Sequence, residues 1–245
     1  MAARVALVTG GTGAIGSEIC RALAKVNCRV SALGHPSETA RLPEWRSGLG
    51  IDVAVELCDL GDFEAAGAAI RKLESQLGPI EILVNAAGIT RDARLAKMSP
   101  QQWREVLSSN LDSVFNATKA VFDGMCQRGF GRIVNISSVN GQKGQFGQAN
   151  YSAAKAGMHG FTMAVAQEGA AKGVTVNTVS PGYVETPMTA AIKPDVLAKI
   201  VASVPAGRMA RPEEIARAVA FLCADDSGYI TGANLPVNGG LYMSA

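Results

Sequence analysis

Short apolar runs recur along the chain, separated by longer stretches whose apolar positions fall at helical spacing. The runs are RVALVT (4–9), CRVSAL (28–33), DVAVELC (52–58), IEILVN (80–85), RIVNIS (132–137), VTVNTVS (174–180) and LPVN (235–238). Most are rich in Val and Ile and lack a polar residue at every second place. Strands of that kind need cover on both faces, as parallel strands between helical layers have. SEICRALAKV (17–26), FEAAGAAIRKLESQL (63–77) and AAKAGMHGFTMAVAQEGAA (153–171) read as helices, the last with small residues that permit close packing. Alternation of strand and helix predicts an α/β fold with a doubly wound sheet. With no linker, low-complexity tract or repeat, residues 1–245 read as a single domain. The proline-rich stretch at about 182–212, with Pro181, Pro187, Pro194, Pro205 and Pro212, reads as a loop with short helices and as a substrate lid.

Composition narrows the function. With 245 residues, 48% hydrophobic and 18% charged, the chain can bury an ample core. A net charge of +2 without runs of one sign leaves no footprint for nucleic acid or an anionic membrane. The apolar VALV near the start is too short for a secretory signal or a membrane span. The five cysteines are odd in number and lack Cys-x-x-Cys spacing, so they read as free buried thiols and place the protein in a reducing cytoplasm. His35 and His159 match no metal pattern, and no metal site is expected.

Two stretches carry chemistry. The first strand runs into TGGTGAIGSEI (9–19), where Gly11, Gly13 and Gly16 form Gly-x-Gly-x-x-Gly between strand and helix. Such a turn brings backbone N–H groups and the positive end of a helix to a pyrophosphate. The second strand ends in SALGHPSETAR (31–41), without Asp or Glu where the strand stops. Nothing there repels a ribose 2′-phosphate, and Arg41 is placed to pair with one. Glu38 pulls the other way. The balance favours NADPH, with NADH open.

The second stretch is NYSAAKAG (150–157), where Tyr151 and Lys155 are four apart and share a helix face. Ser137 and Ser138 close a strand just upstream. A hydroxyl, a phenol and an ammonium together suit reduction of a carbonyl: Ser138 donates to the substrate oxygen and Tyr151 delivers the proton. Bringing a phenol from about 10 to about 7 takes roughly 4 kcal/mol of phenolate stabilisation, for which the Lys155 ammonium and an oxidised nicotinamide are the sources.

These motifs, with CDL (58–60), NAAG (85–88), SSNLDSVF (108–115), ISS (136–138), YSAAK (151–155) and SPGYVETPM (180–188), resemble the classical short-chain dehydrogenase/reductase family over nearly the whole chain. The resemblance implies a Rossmann-type, seven-stranded parallel sheet, a homotetramer, and a catalytic set of Asn110, Ser138, Tyr151 and Lys155. Asn110 would hold a water linking Lys155 to solvent. The cofactor would lie on Gly10, Gly11, Thr12, Gly13, Ile15 and Gly16, on Gly34 and Arg41, and between Asp59 and Leu60. It would continue along Asn85, Ala86, Ala87 and Gly88 to Tyr151 and Lys155, with Pro181, Gly182, Val184 and Thr186 at the nicotinamide. Ala14 and Ala86 depart from the family's usual glycine and asparagine.

GITRDARLAKM (88–98) and residues 137–164 are similar to the acetoacetyl-CoA reductases of polyhydroxybutyrate synthesis. On that pattern Asp92, Gln145, Phe146, Gln148 and Tyr183 line an acyl pocket, with Lys97 at its entrance, and the product is (R)-3-hydroxybutyryl-CoA. The second-strand exit is less basic than in those reductases. A rival is 3-oxoacyl-acyl-carrier-protein reductase, whose acidic carrier would need a basic patch such as Arg128, Arg132 and Lys172. A catalytically idle nucleotide-binding sensor or structural subunit would have lost Ser138, Tyr151 or Lys155, and all three are present.

Overall fold

The computed structural model describes residues 3–190 and 193–243, apart from the Met188 side chain. The 182–212 stretch is therefore described except at 191 and 192. Seven strands form one sheet: β1 Val5–Thr9, β2 Arg29–Gly34, β3 Ala54–Leu57, β4 Ile82–Asn85, β5 Gly131–Ile136, β6 Val174–Pro181 and β7 Asn234–Val237. Each expected run holds a strand; the third is shortest against expectation, four residues of the seven in DVAVELC. All pairs are parallel, in the order β3-β2-β1-β4-β5-β6-β7. The order reverses between β1 and β4, so a crevice opens beyond their carboxyl ends, where α/β sheets bind ligands.

The helices are α1 Ala14–Lys25, α2 Leu42–Leu49, α3 Phe63–Leu77, α4 Pro100–Leu107, α5 Ser113–Arg128, α6 Val139–Lys143, α7 Ala149–Gly169, α8 Pro187–Ala190, α9 Pro194–Ser203 and α10 Pro212–Cys223. Alternate strand residues enter opposite cores. Ala6, Val8, Val84, Val134 and Val179 pack with Ile19 and Leu23 of α1 and Ile215 and Val219 of α10. Leu7, Leu33, Leu83, Ile133 and Val176 pack with Ile70 and Leu73 of α3 and Met125 of α5. This double cover explains why the strands read as unbroken apolar runs.

The described residues of the proline-rich stretch hold two short helices, α8 and α9, which fits the expected loop with short helices. Its last proline, Pro212, opens α10, which packs along α1. Proline suits that first position because its missing N–H has no helical partner there. Cys20, Cys58 and Cys223 are buried, Cys28 and Cys126 half-buried, and all five are free thiols. None of the described helices is long and apolar enough to cross a membrane.

Candidate active site

A cleft of about 970 Å³ runs across the carboxyl ends of the strands, from the turn after β1 to the segment after β6. At one end Gly10 has φ +62°, and a Cβ on Gly16 would stand 2.1 Å from the Gly10 carbonyl oxygen. Only bare backbone allows α1 to begin so close to the turn, which leaves a cradle of N–H groups at the helix start. Ser17 donates back to the Gly13 carbonyl at 2.7 Å. Thr9 Oγ1 accepts from Ala86 N at 3.1 Å and Ala87 N at 3.3 Å, tying the end of β1 to the segment after β4. These residues fit a dinucleotide, and Gly10, Thr12, Gly13, Ile15, Gly16, Ala86 and Gly88 line the cleft as expected.

The exit of β2 differs from expectation. The Glu38 carboxylate folds back over Gly34, with Oε2 2.8 Å from where a Cβ on Gly34 would sit. It accepts from Thr12 Oγ1 at 2.5 Å, from His35 N at 3.1 Å and from Arg41 at 2.6 Å. Arg41 also donates to the Thr12 carbonyl at 2.9 Å. Arg41 lines the cleft, but it is committed to a carboxylate instead of standing open for a 2′-phosphate. Strand propensity placed no acid at the strand end; a turn of 3₁₀ helix, capped by His35, returns one there from four residues on.

Several expected residues serve the site from behind. Asn85 is 1% exposed and donates to Asn135 Oδ1 at 2.8 Å and Thr118 Oγ1 at 3.2 Å, so its side chain braces β4 against β5 and α5. Asp59 Oδ1 accepts from Gly61 N at 2.9 Å, and the Leu60 carbonyl accepts from Asn116 at 2.9 Å; both shape the turn beside β3. Gly11 and Ala87 likewise support the turns and do not line the cleft.

At the other end, α4 and α5 are joined by one π turn over Ser108–Asp112, which aims Asn110 inward. Asn110 donates to the Ile89 carbonyl at 3.0 Å and the Val106 carbonyl at 2.8 Å, while its Oδ1 is buried without a partner among the described residues. A Cβ on Gly88 would meet that Oδ1 at 2.4 Å and Lys155 Nζ at 3.4 Å, so both groups surround one small space. Ser138 lies two residues beyond the end of β5 and caps α6, its Oγ accepting from Asn140 N at 3.1 Å. Tyr151 and Lys155 lie one turn apart on α7, whose start is tied down by Asn150 donating to the Arg91 and Gln102 carbonyls at 3.1 Å each. Ser137 fastens the same helix to β5 by donating to the Lys155 carbonyl at 2.8 Å. Asn110, Ser138, Tyr151 and Lys155 thus face one cleft.

Burial sets the protonation of the lysine and the phenol in the chain alone. Lys155 is buried and donates to the Ile136 carbonyl at 2.8 Å, with Nζ 5.6 Å from the centre of the Tyr151 ring. Desolvation lowers its pKa to about 7. Burial raises that of Tyr151, opposed by the Ser138 hydroxyl and reinforced by the Asp92 carboxylate. The protein's own groups therefore keep the phenol protonated, because the loss of water outweighs the hydrogen bond from Ser138.

Asp92, Gln148 and Tyr183 line the cleft, and Pro181, Gly182, Val184 and Thr186 close its far wall. Lys97, Gln145 and Phe146 do not: Phe146 is 79% exposed with the Arg94 guanidinium 5.4 Å over its ring, and Gln145 accepts from Lys143 at 3.0 Å. Sequence reasoning missed Asn140, Thr189 and Trp45. Trp45 donates to Ser17 Oγ at 2.8 Å across two helices, a contact no local pattern signals. Of the three basic patch residues, Arg132 is withdrawn while Arg128 and Lys172 stay exposed. Arg132 is 4% exposed, stacked 4.3 Å over Phe130 and donating to the Ala224 and Asp225 carbonyls, and Arg128 is tied to the Ile80 carbonyl. No group of metal-ligating side chains occurs among the described residues.

Residues 11–242 match the family model described as Enoyl-(Acyl carrier protein) reductase. The chain is 62% identical to an acetoacetyl-CoA reductase of Allochromatium vinosum, over 98% of this chain and 99% of that one. It is 53% identical to the acetoacetyl-CoA reductase of Cupriavidus necator, over 99% and 100%. Identity is 43% to a 3-oxoacyl-[acyl-carrier-protein] reductase of Haemophilus influenzae, over the full length of both. With its glycine turn, its Ser-Tyr-Lys cleft and matches of this length, the chain belongs to the short-chain dehydrogenase/reductase family and is an oxidoreductase that works with a nicotinamide cofactor.

Proposed function

We propose that the protein reduces acetoacetyl-CoA to (R)-3-hydroxybutyryl-CoA, a precursor for polyhydroxybutyrate. The observation that carries this reading is the convergence of Ser138, Tyr151 and Lys155 in the cleft that begins at the glycine turn, in a chain whose whole length matches acetoacetyl-CoA reductases. Burial of Arg132 leaves Arg128 and Lys172 as the exposed members of the basic set, a weaker dock for an acidic carrier protein, which favours the CoA thioester over the carrier-bound one.

Gly10–Gly16 and the Ala86–Gly88 segment would hold a reduced dinucleotide, whose nicotinamide, at Pro181–Thr186, would supply the hydride. The chain's own residues manage the oxygen. Ser138, accepting from Asn140 N, turns its single proton to the substrate carbonyl as charge builds there. Tyr151 holds a proton at its hydroxyl well above neutrality, the state a donor needs, and transfers it to the same oxygen. Lys155 and the unpartnered Asn110 Oδ1 flank the space through which a water resupplies that proton.

We place NADH ahead of NADPH. A 2′-hydroxyl is a donor that Glu38 accepts, whereas a 2′-phosphate would meet a carboxylate already drawn onto Thr12 and Gly34. The Arg41–Glu38 pair is half-exposed, so a phosphate still finds Arg41 at the cost of turning Glu38 away. Asp92, Gln148 and Tyr183 form the acyl pocket, with Lys97, Gln145 and Phe146 outside it at the rim. Exposed Phe63 and Phe115, stacked 6.1 Å apart, together with Phe221 and a fully exposed Tyr229, support assembly of copies into a homotetramer. Five free thiols support a cytoplasmic location.

The test is nicotinamide absorbance followed with acetoacetyl-CoA and then with a carrier-bound 3-ketoacyl substrate. The reading expects a higher kcat/KM for the CoA thioester. Faster turnover of the carrier-bound substrate would instead make the protein a 3-oxoacyl-acyl-carrier-protein reductase. Dinucleotide binding without turnover of either would make it an idle binder.

A further inference from the structure

Three segments meet at the substrate end of the cleft through side chains whose hydrogen bonds run in one direction. Asn140, from α6, donates through Nδ2 to Gln148 Oε1 at 2.9 Å. Gln148, at the start of α7, donates through Nε2 to Asp92 Oδ2 at 2.9 Å. Asp92 stands on the loop after β4, and Ala93 N donates to the Gly147 carbonyl at 2.9 Å, which holds that loop against the approach to α7. All three side chains line the cleft. Asn140 also reaches the catalytic group directly, since its backbone N–H donates to Ser138 Oγ at 3.1 Å.

The direction matters because Gln148 is the member placed to touch a substrate. An ionised carboxylate only accepts, so Asp92 requires the NH₂ side of the Gln148 amide; Asn140 requires the C=O side. One Gln148 N–H is used on Asp92, and the second is left for a ligand. Were the amide to turn over, its oxygen would oppose the Asp92 carboxylate and its NH₂ would oppose the Asn140 NH₂. Both ends of the relay would then be like against like. Asn140 Oδ1 is buried without a partner among the described residues, so the Asn140 amide is held from its nitrogen side.

We propose that Asn140 is a positioning residue for ketoacyl reduction: by donating to Gln148 Oε1 it keeps the free N–H of Gln148 turned into the cleft, where it meets the thioester carbonyl of the substrate. This rests on the ketoacyl-thioester reading above. The relay distinguishes orientation from mere filling of space, because Asp has the shape of Asn but accepts where Asn donates.

The experiment measures KM and kcat for wild type, Asn140→Ala and Asn140→Asp, each also in a Gln148→Ala background, with acetoacetyl-CoA and with a carrier-bound ketoacyl substrate. Asn140→Ala raises the thioester KM about tenfold, and Asn140→Asp, which sets a carboxylate against Gln148 Oε1, raises it about thirtyfold or more. The nicotinamide cofactor KM stays within about twofold, and in the Gln148→Ala background Asn140→Asp costs about twofold or less. A milder effect for Asn140→Asp than for Asn140→Ala, an undiminished loss when Gln148 is absent, or a parallel rise in cofactor KM would each overturn the relay. Wild-type preference between the two thioesters tests the reading above, whereas the Asn140–Gln148 coupling tests the relay on whichever is preferred.

Discussion

Replacing Lys155 with Met keeps much of the side chain's volume and removes its charge, which isolates the cost of holding an ammonium in the cleft. That cost is visible in the fall of the Lys155 pKa from 10.5 to about 7, caused by burial. The folded value lies below the unfolded one. Between about pH 7 and 10.5 the unfolded chain therefore binds a proton that the folded protein has released, and stability rises with pH across that window. At about 1.4 kcal/mol per pH unit, the wild type should gain about 2–3 kcal/mol on Lys155→Met between pH 6 and pH 9. For a chain of this length the gain amounts to about 5–10 °C in Tm. The assay is scanning calorimetry of both proteins without cofactor, at equal concentration, in a series of buffers from pH 6 to 9. The absolute difference between them also contains the orphaned Ile136 carbonyl, which loses its donor in the variant, but that loss does not vary with pH. Two melting curves that shift in parallel across the series would refute the buried, easily discharged ammonium.

Three further outcomes follow from the same geometry. Tyr151→Phe removes the proton donor and should lower kcat by about 10²–10⁴ while dinucleotide binding, read by fluorescence titration, is retained; unchanged turnover would reject Tyr151 as the acid. Glu38→Gln removes the carboxylate over Gly34 and should move the NADPH/NADH ratio of kcat/KM at least about tenfold towards NADPH, a ratio that steady-state kinetics with both cofactors measures directly. Gly16→Ala sets a methyl 2.1 Å from the Gly10 carbonyl and should abolish dinucleotide binding, because the helix start must shift; calorimetric titration showing wild-type affinity would mean that the turn does not carry the pyrophosphate.

Strands, and the residues that meet in the cleft, were legible in the chain because their signals are local. Double cover makes parallel strands apolar throughout, so VALVT and VTVNTVS announce themselves without any knowledge of their neighbours. Helical periodicity alone puts Tyr151 and Lys155 on one face, and the Gly16 contact follows from a turn only a few residues long. Partnership across the fold was not legible. That Glu38 returns to Gly34, that Arg132 is buried on Phe130, that Asn85 turns away from the cleft and that Phe146 projects from it all depend on segments brought together by the sheet order. The same holds for the protons. Sequence named the lysine and the phenol, but their pKa directions depend on how much water the closed structure removes from each, a quantity set by every element packed around the cleft.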